Sequence, residues 1–254
     1  MAENNFRLLK APIIEAVLDI DCDMPPGKEI STLEPAAHEK LRPQYPKVRR
    51  VFVQTHQIET PPGEVPKFKL HQAVHGLQFL SEDEKQLVQF RAQGYSFNRL
   101  AHYTSLDDYL PEIERTWRIF VAVAAPVQIR TVRLRYINRL MLPMPEKPPL
   151  QFEEYLKVCP RLPDEDKLTF TGFLNQHTAV ENGTGNQVQI ILMNQPAENK
   201  MLPLILDITA ENNAPTEVEN WPCLLARIQA LRHLKNRVFC NTLTEKCLNQ
   251  YQQP

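Results

Sequence analysis

Three arginines lie at alternating positions in the stretch from 130 to 140. Arg133, Arg135 and Arg139 are separated by even numbers of residues, with Ile137 between the last two. Side chains at every second position project from the same face of a strand, so the three guanidinium groups are predicted to share one face. Guanidinium groups bind carboxylates and phosphates through charge-assisted hydrogen bonds. The stretch therefore predicts a site for an anion or an acidic partner.

Neighbouring segments extend this basic face. Lys69 and Arg91 alternate with the apolar residues Phe68, Leu70 and Phe90, which places both cations on the polar side of their predicted strands. The predicted partner-binding or anion-binding residues are therefore Arg133, Arg135, Arg139, Arg91 and Lys69.

A competing interpretation comes from the first predicted strand. Glu15, Asp19 and Asp21 lie on its polar side, opposite to its alternating apolar residues. Cross-strand ion pairs between these carboxylates and the arginines would neutralise the face. The arginines would then be structural, and a phosphate or nucleic-acid site on the same stripe is a third interpretation.

The sequence carries no recognisable catalytic or metal-binding motif. Its seven histidines lack zinc-type spacing to cysteines or carboxylates, and its seven glycines form neither of the common phosphate-binding loops. Five cysteines make an odd count without a Cys-x-x-Cys pair, which is typical of reduced thiols in a cytosol. We predict no catalytic residue, no metal ligand and no cofactor. An enzyme with an unrecognised site stays an alternative.

Composition bounds the class of protein. The chain has 254 residues, of which 43% are hydrophobic and 23% charged, which is enough to build a globular core. A net charge of -1 gives no global attraction to nucleic acid or to an anionic membrane surface. The sequence shows neither an apolar signal segment nor a long uninterrupted apolar run, so we expect a cytoplasmic protein without a membrane partner.

The periodicity of apolar residues predicts two similar halves, residues 1–126 and 127–254. The first half is predicted to contain strands at 11–22, 48–59, 67–80 and 85–92 and helices at 29–43 and 106–124. The second half is predicted to contain strands at 127–142, 168–179, 186–193 and 202–210 and helices at 151–158 and 221–238.

This order predicts an α+β fold. Each half reads as a strand, a helix, three strands and a closing helix, and the two repeats are expected to form one compact unit. The first strands of the halves would pair at the centre of a continuous antiparallel sheet, with the two long helices on one face. Residues 95–103 are interpreted as a turn-like segment between a strand and a helix.

Three segments together resemble a known family. They are residues 9–20 (LKAPIIEAVLDI), 95–100 (YSFNRL) and 135–139 (RYINR). The combination is similar to a sporadically distributed family of uncharacterised bacterial proteins of about this length. The positions that carry the resemblance are Pro12, Glu15, Asn98, Arg99, Arg135, Tyr136, Asn138 and Arg139.

No activity comes with this resemblance. The patchy distribution of such proteins implies accessory genes of defence loci, beside CRISPR effectors or toxin–antitoxin pairs. We therefore expect a non-enzymatic, protein-binding or regulatory accessory protein whose partner is another protein encoded nearby. The alternative is nucleic-acid or nucleotide binding through the arginine-rich sheet face.

Overall fold

The computed structural model describes residues 8–59, 67–145, 150–164, 167–168 and 170–252, and for residues 55–59 and 67–71 it describes the backbone alone. The strands are β1 (Ile13–Asp23), β2 (Lys47–Glu59), β3 (Lys67–Leu80), β4 (Gln86–Arg91), β5 (Gly94–Leu100), β6 (Gln128–Pro143), β7 (Leu174–Val180), β8 (Gln187–Asn194) and β9 (Met201–Asn212). The α-helices are α1 (Glu34–Leu41), α2 (Leu106–Ala124), α3 (Trp221–Thr242) and α4 (Glu245–Asn249).

The described strands form one nine-stranded sheet in the order β2-β3-β4-β5-β1-β6-β9-β8-β7. Every neighbouring pair is antiparallel. At the centre, β1 pairs with β6, so that Leu18 lies opposite Leu134 and Asp19 lies opposite Arg133. The predicted central pairing of the first strands of the two halves is thus confirmed.

The predicted α+β class, with two matching repeats and long helices on one face, is nevertheless wrong. A single antiparallel sheet dominates the structure, and α2 and α3 are the two long helices among the described residues. The first half has four strands after α1 instead of three, because residues 94–100 form β5. In the second half, the predicted helix at 151–158 is reduced to a 3₁₀ turn, Phe152–Glu154. The halves therefore do not match.

Strand β5 lies in a segment whose sequence predicts a turn-like structure. Gly94, Ser96 and Asn98 are residue types typical of turns, although Tyr95 and Phe97 alternate with them. Tyr95 and Phe97 pack into the core, while Ser96 and Asn98 on the opposite face are also buried. The strand begins at Gly94, whose φ is +144° and where a Cβ atom would lie 2.1 Å from the carbonyl oxygen of Ile20. Only glycine allows the chain to approach β1 so closely.

Helix α2 has the bounds predicted from the sequence, because both of its ends are encoded locally. Ser105 caps the first turn by accepting a hydrogen bond from the backbone N–H of Asp107. The helix ends at Ala124, and the next residue, Ala125, has a φ of 49° and lies directly before Pro126.

The apolar side of α2 packs on the sheet through aromatic rings. The ring centroids of Phe90 and Phe120 are 5.0 Å apart, and those of Tyr95 and Trp117 are 5.6 Å apart, both with edge-on geometry. Edge-on pairs of this kind add to the free energy gained by burial. They fix α2 over the half of the sheet that contains β4 and β5.

Helix α3 packs over β6 and β9 and brings a lysine into the core. Ile228 and Leu231 are buried, and Lys235 lies one turn further along the same stripe. The Lys235 ammonium lies 3.7 Å from the centre of the Tyr136 ring, and the Tyr136 hydroxyl is 2.7 Å from that of Tyr103. Burial, followed by the positive charge of Arg232, lowers the pKa of Lys235 to about 7.

The buried lysine should make the free energy of unfolding depend on pH above about pH 7. The folded-state pKa lies below the usual value of 10.5, so between about pH 7 and 10 the unfolded chain holds a proton that the folded chain lacks. The free energy of unfolding should rise with pH from about pH 7 to 8.5, with a slope of at most about 1.4 kcal/mol per unit. Above this range the thiols of Cys22 and Cys247 oppose the rise, because folding raises their pKa and the unfolded chain loses these protons first. Lys235→Met should remove the rise below about pH 8.5 and stabilise the protein at pH 7.

Urea unfolding at several pH values between about 7 and 8.5 measures this effect. Lys40→Met, which changes an exposed lysine of α1, is the matched control and should leave the slope unchanged. A slope that survives Lys235→Met would show that another group causes it.

Candidate binding site on the charged sheet face

The central strands separate apolar from charged side chains. Along β6, Val132, Leu134 and Tyr136 are buried in the core, while Arg133 and Arg135 project to the opposite side. We call this opposite side the charged face; its central residues are Asp19 of β1, Arg133 and Arg135 of β6, and Asp207 and Glu211 of β9. The predicted sharing of one face by the arginines follows from this alternation.

Arg133 is held between carboxylates of both neighbouring strands. Its Nε atom donates to Glu211 at 3.0 Å, and its Nη1 atom lies 3.5 Å from Asp21. Burial acts to lower the pKa of Arg133, but the hydrogen bond to Glu211 and the charge of Asp21 outweigh it, so the pKa is raised. The guanidinium group is therefore a fixed cation with two internal partners.

Arg135 pairs with the least exposed carboxylate among the described ion pairs of the charged face. Its Nε atom lies 3.0 Å from both oxygens of Asp207, and its Nη2 atom donates to one of them at 2.6 Å. The Asp207 side chain is only 9% exposed, whereas that of Arg135 is 44% exposed. The hydrogen bond to Asp207 is the main cause of the raised pKa of Arg135. One edge of the guanidinium group is thus occupied while part of the side chain still meets solvent.

The other predicted basic residues have different surroundings. Arg91 pairs with Asp21 at 2.7 Å and also donates to the Tyr95 carbonyl oxygen at 3.1 Å. Arg139 pairs with Glu198 at 2.7 Å, away from the central residues. Lys69 belongs to β3, but its side chain lies outside the described residues. All four arginines predicted as site residues therefore pair with the protein's own carboxylates, as the competing structural interpretation expects.

A chain of amide side chains continues the charged face toward β3. Gln78 donates to Gln89 at 3.0 Å, Gln89 donates to Asn98 at 2.9 Å, and Asn98 donates to Glu15 at 2.8 Å. The chain spans β3, β4, β5 and β1. Because each buried group has a partner, this part of the face is stable without an external ligand.

Two of the family-pattern residues, Glu15 and Asn98, are in this amide chain, but the others lie elsewhere. Arg99 and Tyr136 are on the core side, where the Arg99 guanidinium stacks 5.5 Å from the Tyr109 ring centre. Asn138 is buried and donates to the Leu206 carbonyl oxygen at 2.9 Å, and the Pro12 carbonyl oxygen accepts from the Arg139 N–H at 2.8 Å. The pattern residues therefore do not form one site, and these contacts give them structural roles.

A cleft of about 810 Å³ opens on the charged face beside the central arginines. Five strands line it: β1, β6, β9, β8 and β7. The lining residues are Asp19, Arg133, Arg135, Thr178, Ala179, Val180, Gln187, Val188, Gln189, Ile191, Asp207, Thr209 and Glu211. We call this feature the sheet cleft.

The sheet cleft carries little net charge. Two arginines and three carboxylates leave its lining with one net negative charge, and the remaining polar groups are amides and hydroxyls. The lining contains neither histidine, cysteine, lysine nor tyrosine. Such a surface offers many hydrogen bonds but neither a free cation cluster for a polyanion nor an activated nucleophile.

Sequence reasoning missed the residues contributed by β8 and β9. Asp207, Thr209 and Glu211 alternate with buried residues along β9, which is the signal that could have placed them on one face. Their position beside Arg133 and Arg135 depends on a strand register across about seventy residues of chain. No local pattern in the sequence encodes that register.

Metal-type clusters and cysteines are the other groups of interest in the described part of the chain. Among the described residues, no three histidine, cysteine or acidic side chains are placed to hold a metal ion. Burial raises the pKa of the Cys22 and Cys247 thiols to about 12 in each case. Thiols of this kind stay protonated and unreactive at neutral pH.

The Arg135 ion pair should contribute measurably to stability. Arg135→Ala leaves the enclosed Asp207 carboxylate without its partner, so we expect the free energy of unfolding to fall by about 1–3 kcal/mol. The double variant Arg135→Ala with Asp207→Leu should lose less stability than the sum of the losses from Arg135→Ala and Asp207→Leu measured separately. Urea unfolding of the four proteins of this cycle measures the coupling.

Arg130 offers the matched control on the same strand. It pairs with Asp23 at 3.1 Å, but the two side chains are 64% and 44% exposed. Arg130→Ala should therefore change stability by less than about 0.5 kcal/mol. Equal losses from Arg130→Ala and Arg135→Ala would contradict the distinction between an enclosed and an exposed pair.

None of the described helices has both the length and the apolar composition that crossing a bilayer requires.

The comparisons with known proteins give no relative from which a function can be transferred. The chain matches no family model, no curated protein and no solved structure. The function must therefore be inferred from the geometry and charge of the sheet cleft.

Proposed function

We propose that the protein is a non-enzymatic binding protein that receives a segment of a partner protein in the sheet cleft. The observation that carries this proposal is the combination of a large concave surface with charges that are already paired inside the protein. A surface of this kind recognises shape and hydrogen-bonding groups more than net charge.

The chemistry of the lining fits a polypeptide. Gln187, Gln189 and Thr209 present donors and acceptors that match backbone amide groups, and Ile191 and Val180 add apolar contact. The charges of both signs at Arg133 and Asp19 can orient polar side chains of the partner. Because the ion pairs hold these groups in place before binding, little side-chain entropy would be lost on association.

Nucleic-acid binding is less well supported by the same geometry. A polyanion gains affinity by releasing counterions when free lysines and arginines neutralise its phosphates. The arginines here already contact Asp207, Glu211 and Asp21, and separating them would leave enclosed carboxylates unpaired. An enzyme is also disfavoured, because Arg133 and Arg135 already occupy Glu211 and Asp207.

The setting of the partner follows from the family resemblance. The three segments resemble a sporadically distributed family of uncharacterised bacterial proteins, whose patchy distribution implies accessory genes of defence loci. This resemblance supports a cytoplasmic protein whose partner is encoded by a neighbouring gene, of the CRISPR or toxin–antitoxin type. Partner candidates are therefore the products of the adjacent genes, expressed and purified one at a time.

Filling the cleft should weaken partner binding without unfolding the protein. Gln189→Trp places a bulky ring among the lining residues and leaves the ion pairs intact, so we expect at least a tenfold loss of affinity in titration calorimetry. Gln54→Trp changes an exposed glutamine of β2 at the other end of the sheet and should leave affinity unchanged. Equal unfolding midpoints of both variants establish that the fold is retained.

Three outcomes would contradict this proposal. Equal affinities of the two variants would place the partner elsewhere on the protein. A complex with single-stranded or duplex nucleic acid whose affinity falls steeply with salt, together with no binding of any neighbour-encoded protein, would favour the nucleic-acid alternative. Turnover of a substrate without formation of a complex would favour an enzyme.

A further inference from the structure

Strand β7 forms one edge of the sheet and carries no charge. Its sequence from Leu174 to Val180 is LNQHTAV, and no other described strand pairs with its outer side. Leu174 is 63% exposed and Val180 is 62% exposed, so both ends of this strand present aliphatic side chains to water. An exposed and uncharged edge strand is a template for pairing with another strand.

The opposite edge of the sheet is different. Strand β2 has Lys47, Arg49 and Arg50 within its first four residues. Charged side chains on an edge strand are a common means of preventing pairing between sheets, because they would have to lose water or meet like charges. The charged start of β2 is protected in this way, whereas β7 has no charged residue at any position; the later part of β2, residues 51–58, is also uncharged.

The hydrogen bonds of the β7–β8 pair show which backbone groups of β7 are available. Just past the strand, the N–H of Glu181 donates to the carbonyl oxygen of Asn186 at 2.7 Å. Since antiparallel pairing alternates between hydrogen-bonded and non-hydrogen-bonded pairs, residues an even number of positions from Glu181 point their backbone groups toward β8. The residues whose N–H and C=O groups point outward are Leu174, Gln176, Thr178 and Val180.

The sequence of β7 is complementary to itself about His177. In an antiparallel pair of two copies centred there, Leu174 of one copy faces Val180 of the other, and Gln176 faces Thr178. The outward backbone groups of these same residues then form the hydrogen bonds, and no like charges meet. We propose that β7 pairs with β7 of a second copy of this chain, so that the two sheets join into one.

This inference is independent of the proposed function, yet it has a consequence for the sheet cleft. Thr178 and Val180 line the cleft, so the clefts of the two copies would adjoin across the junction. A two-fold axis at His177 makes the interface isologous, and this contact closes at two copies because it uses the β7 edge of each. Exposed Leu174 and Val180 become buried against each other.

Light scattering coupled to size exclusion tests the assembly with the full chain. The unaltered protein should have twice the chain mass of 29.4 kDa. Gln176→Lys combined with Thr178→Lys places like charges opposite each other twice, so the dissociation constant should rise at least tenfold. Gln176→Lys combined with Thr178→Glu uses the same positions with opposite charges and should keep the dimer.

A cysteine pair tests the register itself. The two copies of His177 would form a non-hydrogen-bonded pair with Cα atoms about 4.5 Å apart, within the range that a disulfide bridges. His177→Cys should therefore give a covalent dimer on mild oxidation, seen on a non-reducing gel. In Ala179→Cys the equivalent atoms would be about 14 Å apart, so no covalent dimer should form beyond that of the unaltered chain.

The proposal fails on any of three results. The unaltered protein could remain at 29.4 kDa at its highest soluble concentration. The double-lysine variant could keep the dimer, which would place the interface elsewhere. His177→Cys and Ala179→Cys could cross-link equally, which would exclude the register centred on His177.

Discussion

The pairing of β1 with β6 imposes a constraint that shapes the rest of the protein. Both strands alternate along most of their length, so one set of side chains enters the core while the other set, apart from Val17 and Ile137, brings several charges together on the opposite side. Asp19 lies directly opposite Arg133, and Glu211 completes that row from β9. A shift of the register by one residue would bury the charges and expose Leu18 and Leu134. The central register is therefore fixed by hydrophobic burial and by ion pairing at once.

Internal pairing also decides what the charged face can do. A row of unpaired arginines would attract any polyanion. Arg135 is instead paired with Asp207, so it presents a partly exposed cation whose charge is already neutralised. Breaking that pair to bind a phosphate would cost the interaction that keeps an enclosed carboxylate satisfied. Binding that preserves the pair avoids this cost. The face therefore favours neutral or mixed-charge partners, which contribute hydrogen bonds and shape without replacing the internal carboxylates.

Sequence patterns predicted the features that are encoded locally. They did not predict the features that depend on pairing between strands distant in the sequence. Helix α2 could be bounded from Ser105 and Pro126, and the arginine face from the alternation along β6. Strand β5 was missed because Gly94, Ser96 and Asn98 are residue types that also favour turns. The match of two halves failed because element order was inferred without the sheet contacts that decide it.

The candidate site was likewise predictable only in part. Its basic half was predictable from the sequence of β6, but the acidic and amide half comes from β8 and β9, which approach only in the folded sheet. The competing interpretation named Asp19 and Asp21 as the partners of the arginines, and Asp21 does contact Arg133. Asp207, which satisfies Arg135, carries no local signal that pairs it with β6. Pairing partners across a sheet are a property of register, which composition and periodicity leave open.

On the core side of the sheet, a positive charge is destabilised by burial. Lys235 lies over the Tyr136 ring, and its pKa is lowered because burial and Arg232 disfavour the charged form. A sequence argument places lysine on the exposed side of a helix, since an unpaired lysine is rarely buried, and here the stripe of α3 overrides that expectation. Arg232 extends toward α2 and pairs with Asp107 at 2.7 Å. The same turn of α3 therefore joins the two long helices and holds the one strongly destabilised charge that the described core contains.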